Sequence, residues 1–167
     1  GGNRATLDAS EASARAAQTG LADVQVSLAA EVAVAYVELR GLQARLQIAQ
    51  RNLAAQQDTL QITRWRAQAG LASSLDLEQA VASTEQTRAQ LPALQTSITQ
   101  SLNALAVLTG QVPGALQATL GPAAAIPQAP ADLALAFPAE TLRQRPDVRS
   151  AEHQVSAALA RVAAADA

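Results

Sequence analysis

The stretch Ala69-Gly70-Leu71-Ala72-Ser73-Ser74-Leu75-Asp76 decides how this chain folds. It carries a helix stop followed at once by a helix start. Gly70 suits the left-handed position just past a helix end, where a side chain would clash. Ser73 can cap the next helix, and Asp76, three residues on, can return a bond to the Ser73 backbone in a capping-box-like arrangement. A chain that ends one helix and begins another across residues 70–73 turns back on itself.

Reading toward the N-terminus, residues from about Thr6 to Ala69 contain no Pro and are dominated by good helix formers, with Gly20 and Gly41 as the interior weak points. One long helix is expected over about 6–69. Val32, Ala35, Leu39, Leu42, Leu46, Ala49, Leu53 and Leu60 recur in alternating steps of three and four, with Gln56 filling one place. That is a coiled-coil seam. A helix of about 60 residues would be on the order of 90 Å long and needs something lying along it.

The partner is the helix expected over 74–109, with Leu77, Val81, Thr84, Arg88, Leu91, Gln95, Ile98, Leu102 and Leu105 on its seam and a second Gly stop at Thr109-Gly110. Pro92 removes a hydrogen bond to the carbonyl of Arg88 and should kink this helix or mark an irregularity. Thr84, Arg88 and Gln95 are polar seam positions. Either the helix rotates to expose them, or they face a water-filled space or a neighbouring subunit.

From 111 to 138 the texture changes to Pro, Gly and Ala without helical periodicity, a connector packed on the hairpin in which Ala115 to Leu120 is compatible with a short strand. Pro138 to Gln144 fits a short helix. A third helix starts at Arg145-Pro146-Asp147, with Pro146 pre-set for a first turn and Asp147 near its positive end, and continues through Val155, Leu159 and Val162. The division expected is a hairpin over 1–110, a connector over 111–138 and the short and third helices over 139–167. The fold class is all-α.

Composition narrows the function. The chain has 167 residues, 49% hydrophobic but only 2% aromatic, so its interior must be built from Ala, Leu and Val in closely spaced helices. The basic residues are all Arg, scattered among 14 acidic ones for a net charge of -2, which leaves no basic stripe for nucleic acid. Without Cys there are no disulfides and no thiolate chemistry. His153, the sole His, stands beside Glu152, expected solvated and without a second imidazole to hold a metal. No Gly-rich phosphate loop follows a strand and no Ser sits in a nucleophile-elbow pattern, so an enzyme is not expected and no cofactor is implied. The most apolar region, Ala115 to Phe137, is interrupted by Gly, Pro and Asp, and no transmembrane helix is expected. The Gly1-Gly2-Asn3 opening and the helical ending suggest an excised piece.

Three stretches carry a family resemblance. Ala29-Ala30-Glu31-Val32-Ala33-Val34-Ala35-Tyr36-Val37-Glu38-Leu39-Arg40-Gly41, with Gln43, resembles a helix segment of the TolC/OprM-type outer-membrane factors, in particular the NodT-like efflux lipoproteins. Arg66 to Ala80 is similar to that family's hairpin tip, and Leu142 to Glu152, containing Arg-Pro-Asp-Val-Arg, to the start of its second repeat. The resemblance implies a homotrimer with barrel strands in the outer membrane and paired helices in the periplasm. Such a duct exports small molecules with a periplasmic adaptor protein and an inner-membrane RND pump. It further implies that Gly70, Leu71, Ala72, Ser73 and Ser74, with Leu75 and Asp76 behind them, meet the adaptor, and that Arg145, Pro146 and Asp147 form a structural joint. The barrel strands and the second hairpin, where the family places much of its gate, fall outside this chain. A long heptad hairpin would also suit a periplasmic adaptor or a purely structural coiled coil. Adaptors, however, flank theirs with lipoyl-like halves, and a plain coiled coil leaves Leu142 to Glu152 unexplained.

Overall fold

A computed structural model describes residues 2–129 and 142–165. Four helices are defined: α1 (Gly2–Gln68), α2 (Ser74–Leu108), the single turn α3 (Gln117–Leu120) and α4 (Pro146–Ala165), with no strand among the described residues. The short helix expected from Pro138 falls mostly outside them; Leu142 and Arg143 are helical. The chain forms two compact units, one from Val32–Gln128 and the other from Gly1–Glu31 with Ala129–Ala167.

In the Val32–Gln128 unit α1 and α2 pack as an antiparallel pair, and the three-four periodicity is the reason. Leu39 is fully buried against Leu102 and Leu105, with Val32, Ala35, Tyr36 and Ile98 packed around them. The covered positions continue along α1 through Leu42, Leu46, Ala49, Leu53 and Gln56 to the buried Leu60. Gln56 keeps its place with Oε1 buried and without a hydrogen bond.

On α2 the expected seam holds at all but two positions, with Val81 and Leu102 also covered. Leu77, Thr84, Leu91, Ile98 and Leu105 face inward, but between them Thr87 and Leu94 are covered, and Arg88 and Gln95 are exposed. The helix is rotated by one residue at those steps, which leaves Arg88 in water with Glu85 at 3.4 Å and buries a leucine in place of an amide. Thr84 does not follow Arg88 outward. It is buried, and its hydroxyl is satisfied within the helix by donating to the Ala80 carbonyl at 2.8 Å. Pro92 sits on the exposed side and α2 runs unbroken through it.

After α2, Gly110 adopts φ 69° and closes the helix, its N–H donating to Val107 and that of Gln111 to Ala106. The strand compatible with Ala115 to Leu120 does not form. Instead the backbone satisfies itself in successive turns, Gln117 donating to Gly114 and Leu120 to Leu116 at 2.8 Å. A lone strand would have left those groups unpaired, since no sheet edge is present among the described residues. Leu116 and Leu120 thereby reach the Leu39 cluster.

The other unit pairs the first part of α1 with α4. As α4 ascends from Arg145 through Ser150 to Arg161, its neighbours on α1 descend from Asp23 through Ala16 to Ser13, so the helices are antiparallel. The covered face of α1 is made of small residues, Ala9, Ser13, Ala16 and Gly20, and that of α4 of Ser150, His153, Ala157 and Ala160. Small side chains let the helices close enough for the Ser150 hydroxyl to approach the Ala16 carbonyl at 3.4 Å. His153, expected in water, is half-buried here. Val155, Leu159 and Val162, through which the helix was expected to continue, lie on it as exposed side chains.

The expectation about bilayers needs amending. Within Thr6–Gln68 a window of α1 reaches a mean hydropathy of 1.4 with none of it buried, so length and composition would allow it to cross a membrane. Leu21, Val24, Val26, Leu28, Val34 and Val37 are its exposed apolar side chains. Because the same helix carries Asp23, Glu31, Glu38 and a buried Arg40, this surface suits further helices better than lipid.

Candidate functional site

The hairpin tip is built by local hydrogen bonds. Gly70 adopts φ 73°. Its N–H donates to Ala67 at 3.0 Å and that of Leu71 to Arg66 at 2.7 Å, the paired bonds of a Schellman stop. Two residues later the Asp76 N–H donates to Ser73 Oγ at 3.1 Å, and the Ser73 N–H and hydroxyl donate to Asp76 Oδ2 at 3.0 and 2.8 Å. Both ends of the turn are thus satisfied from within. The outward surface of the tip takes no part in these bonds.

That surface comprises Gly70, Leu71, Ser73, Ser74, Leu75 and Asp76, all exposed, with Ala72 half-buried. Leu71 is 70% and Leu75 65% exposed. Ile62 and Trp65, three residues apart near the end of α1 and off its seam, are exposed as well. Their signal was available in sequence: Trp65 is the only Trp, and it lies outside the three-four pattern.

The Ser73 hydroxyl, and after it the Ser73 N–H, hold the Asp76 carboxyl below its ordinary value, with the Arg66 charge adding to them. A depressed carboxyl stabilises the fold above its ordinary range and loses that contribution as pH falls through the lowered value. Ser73→Ala is therefore expected to destabilise the hairpin at neutral pH. In thermal melts followed by circular dichroism, the gap between wild type and variant should narrow below the ordinary carboxylate range, leaving the part due to the lost Asp76 N–H bond to Ser73 Oγ. A gap independent of pH would remove Asp76 from the cap.

Arg145, Pro146 and Asp147, expected to form a joint, lie in the other unit. Arg145 Nε and Nη2 donate to Asp147 Oδ1 and Oδ2 at 3.1 and 2.8 Å, and the Val148 N–H also donates to Oδ1. The pairing holds Asp147 low and Arg145 high, in each case chiefly through this hydrogen bond. Both side chains are solvated, so the pair orders the entrance to α4 and adds little stability.

A second polar arrangement was legible only as a motif. Arg40 and Gln43, both buried, face the same way as Leu39. Arg40 Nη1 donates to Gln43 Oε1 at 2.7 Å and to the carbonyls of Pro122 and Leu120 at 2.8 and 3.3 Å. Gln43 Nε2 donates to Leu120 and Gly121 at 2.7 and 3.1 Å. The guanidinium also lies 4.9 Å from the Tyr36 ring centroid. Gly121 is required there, since a Cβ would collide with the Gln117 carbonyl. Elsewhere the surface offers open troughs, such as one of about 400 Å³ lined by Thr6, Ala9, Ser10, Ser13 and Arg161.

Comparison with known proteins gives a consistent result. The family model described as "Outer membrane efflux protein" matches residues 1–111. The probable efflux pump outer membrane protein SepC of Pseudomonas putida is 37% identical over 144 residues, covering 86% of this chain and 29% of that protein. Nodulation protein T of Rhizobium leguminosarum bv. trifolii is 27% identical over 96% of this chain and 34% of its own length. The solved outer-membrane channel OprN superposes with a TM-score of 0.93 at 37% identity, over 99% of this chain and 37% of that one. The chain thus spans about a third of the length of these relatives.

Proposed function

The chain belongs to the outer membrane efflux protein family, and from that premise we propose that it is the periplasmic helical part of an export channel subunit, docking a periplasmic adaptor through its hairpin tip. The observation that carries the docking is the tip itself. Its backbone is satisfied internally by the Gly70 stop and the Ser73–Asp76 cap, while Leu71 and Leu75 stand in solvent. Small residues at a turn allow close approach of another backbone, and two exposed leucines supply apolar area for it.

In this reading the exposed apolar side chains of α1 and α4 are covered by other helices of the full-length channel, assembled as a trimer, with the adaptor linking it to an inner-membrane RND pump. The duct passes small molecules and performs no catalysis. Family membership replaces the two rival readings, an adaptor hairpin and a free-standing coiled coil.

Export by the full-length protein tests the proposal. Leu71→Asp and Gly70→Asp are expected to abolish export of a known pump substrate while leaving the amount of channel in the outer membrane unchanged. Gln57→Asp, at an exposed position well before the tip, is expected to leave export intact. Normal export by both tip variants would remove the tip from the docking surface.

A further inference from the structure

We infer that residues 111–128 form a strap that undocks from α1 as a unit, with Arg40 and Gln43 as its latch. The inference goes beyond the export role and stands independently of it. Across this segment only Leu116, Leu120 and Gly121 are covered, and the remaining residues are exposed. Little apolar area holds it down, and segments with few buried contacts open at lower free energy than the elements they rest on.

The polar attachments are correspondingly concentrated. The side chains of Arg40 and Gln43 grip three consecutive carbonyls, those of Leu120, Gly121 and Pro122. At the other end the Gly114 N–H donates to Asn103 Oδ1 at 3.1 Å. Gly110 precedes the segment and Gly114 lies within it, at φ 69° and 86°, positions at which glycine backbone can change conformation with little steric cost.

The chemistry of the latch favours release over rupture. Arg40 is 4% exposed, its Nε has no partner, and no carboxylate lies within ion-pairing distance among the described residues. Keeping a guanidinium out of water is costly, and neutral carbonyls compensate it less fully than a carboxylate would. When the strap leaves, the cation regains water, which offsets part of the loss of its hydrogen bonds. An apolar plug of the same size would gain nothing from solvent on leaving. Undocking uncovers the Leu116 and Leu120 contacts on the Leu39 cluster and leaves the α1–α2 pairing in place.

Amide hydrogen exchange on the full-length protein tests this. The reporters are the N–H groups of Ala115, Gln117, Leu120 and Gly121, each bonded within the strap in single turns too short to persist in water once the strap leaves α1. Arg40→Met, which removes a charged donor, is expected to speed all four by a common factor of about ten or more. Asn103→Ala, at the opposite attachment, is expected to speed the same four by its own common factor, including Leu120 and Gly121 at the far end. Amides of α2 from Thr84 to Leu105 are expected to keep their rates in Asn103→Ala. Acceleration confined to the amide next to the lost contact, equal acceleration in α2 under Asn103→Ala, or no acceleration would each overturn the unit.

Discussion

Leu39→Asp is expected to destabilise the Val32–Gln128 unit by roughly 5 kcal/mol, enough to unfold it or leave it molten at ordinary temperature. Leu39 has no solvent exposure and is the point at which α1 meets Leu102 and Leu105 of α2 and the Leu116 and Leu120 contacts of the connector. Removing its side chain forfeits burial and leaves a cavity. Putting a carboxyl there forces either an unpaired charge or an unfavourable protonation. A graded series separates this from a general effect of acid on α1. Leu46→Asp, half-buried on the same seam, should cost clearly less, and the exposed Gln47→Asp should change the melting temperature little. Chemical denaturation monitored by circular dichroism checks the order. Equal losses at 39 and 47 would reject the seam.

The second large effect lies one residue away and has a different origin. Arg40→Leu is expected to cost about 3 kcal/mol, because the Pro122 and Leu120 carbonyls and Gln43 Oε1 each lose a charged donor. Gln43→Leu should cost about 2 kcal/mol by the same reasoning. Since Arg40 and Gln43 bond to each other and share the Leu120 carbonyl, their losses should not add. The double variant is expected to fall short of the sum by about 1 kcal/mol. Strict additivity in denaturant midpoints would mean that the two act separately and that no shared latch exists.

What could be read in the sequence follows from how local each device is. The tip was legible because a left-handed Gly and a Ser-x-x-Asp cap are completed within a few residues, and the structure places Gly70, Ser73 and Asp76 in those conformations. The α1 seam was legible because Leu and Val mark it. On α2 the weaker contrast between Thr87 and Arg88 concealed a rotation that the Leu94-Gln95 pair, taken as leucine in and amide out, would have revealed.

The latch was legible only as the spacing of Tyr36, Arg40 and Gln43 on one face. Its acceptors lie about 80 residues away, as carbonyls that no side-chain pattern announces. On α4 the apolar periodicity of Val155, Leu159 and Val162 marks the helix but not its covered face. Burial there goes to Ala157 and its small neighbours, since a small-residue face allows the closer approach to α1. The larger side chains stay exposed.

Contact between the tip and the adaptor can be read by site-specific photo-crosslinking in living cells, with a photoreactive amino acid replacing Leu71 in the full-length protein and, separately, Gln57. A covalent adduct with the periplasmic adaptor is expected from position 71 and none from position 57, with both proteins equally abundant in the outer membrane. An adaptor adduct of equal yield from both positions, or none from position 71 in a pump that still exports, would contradict that contact.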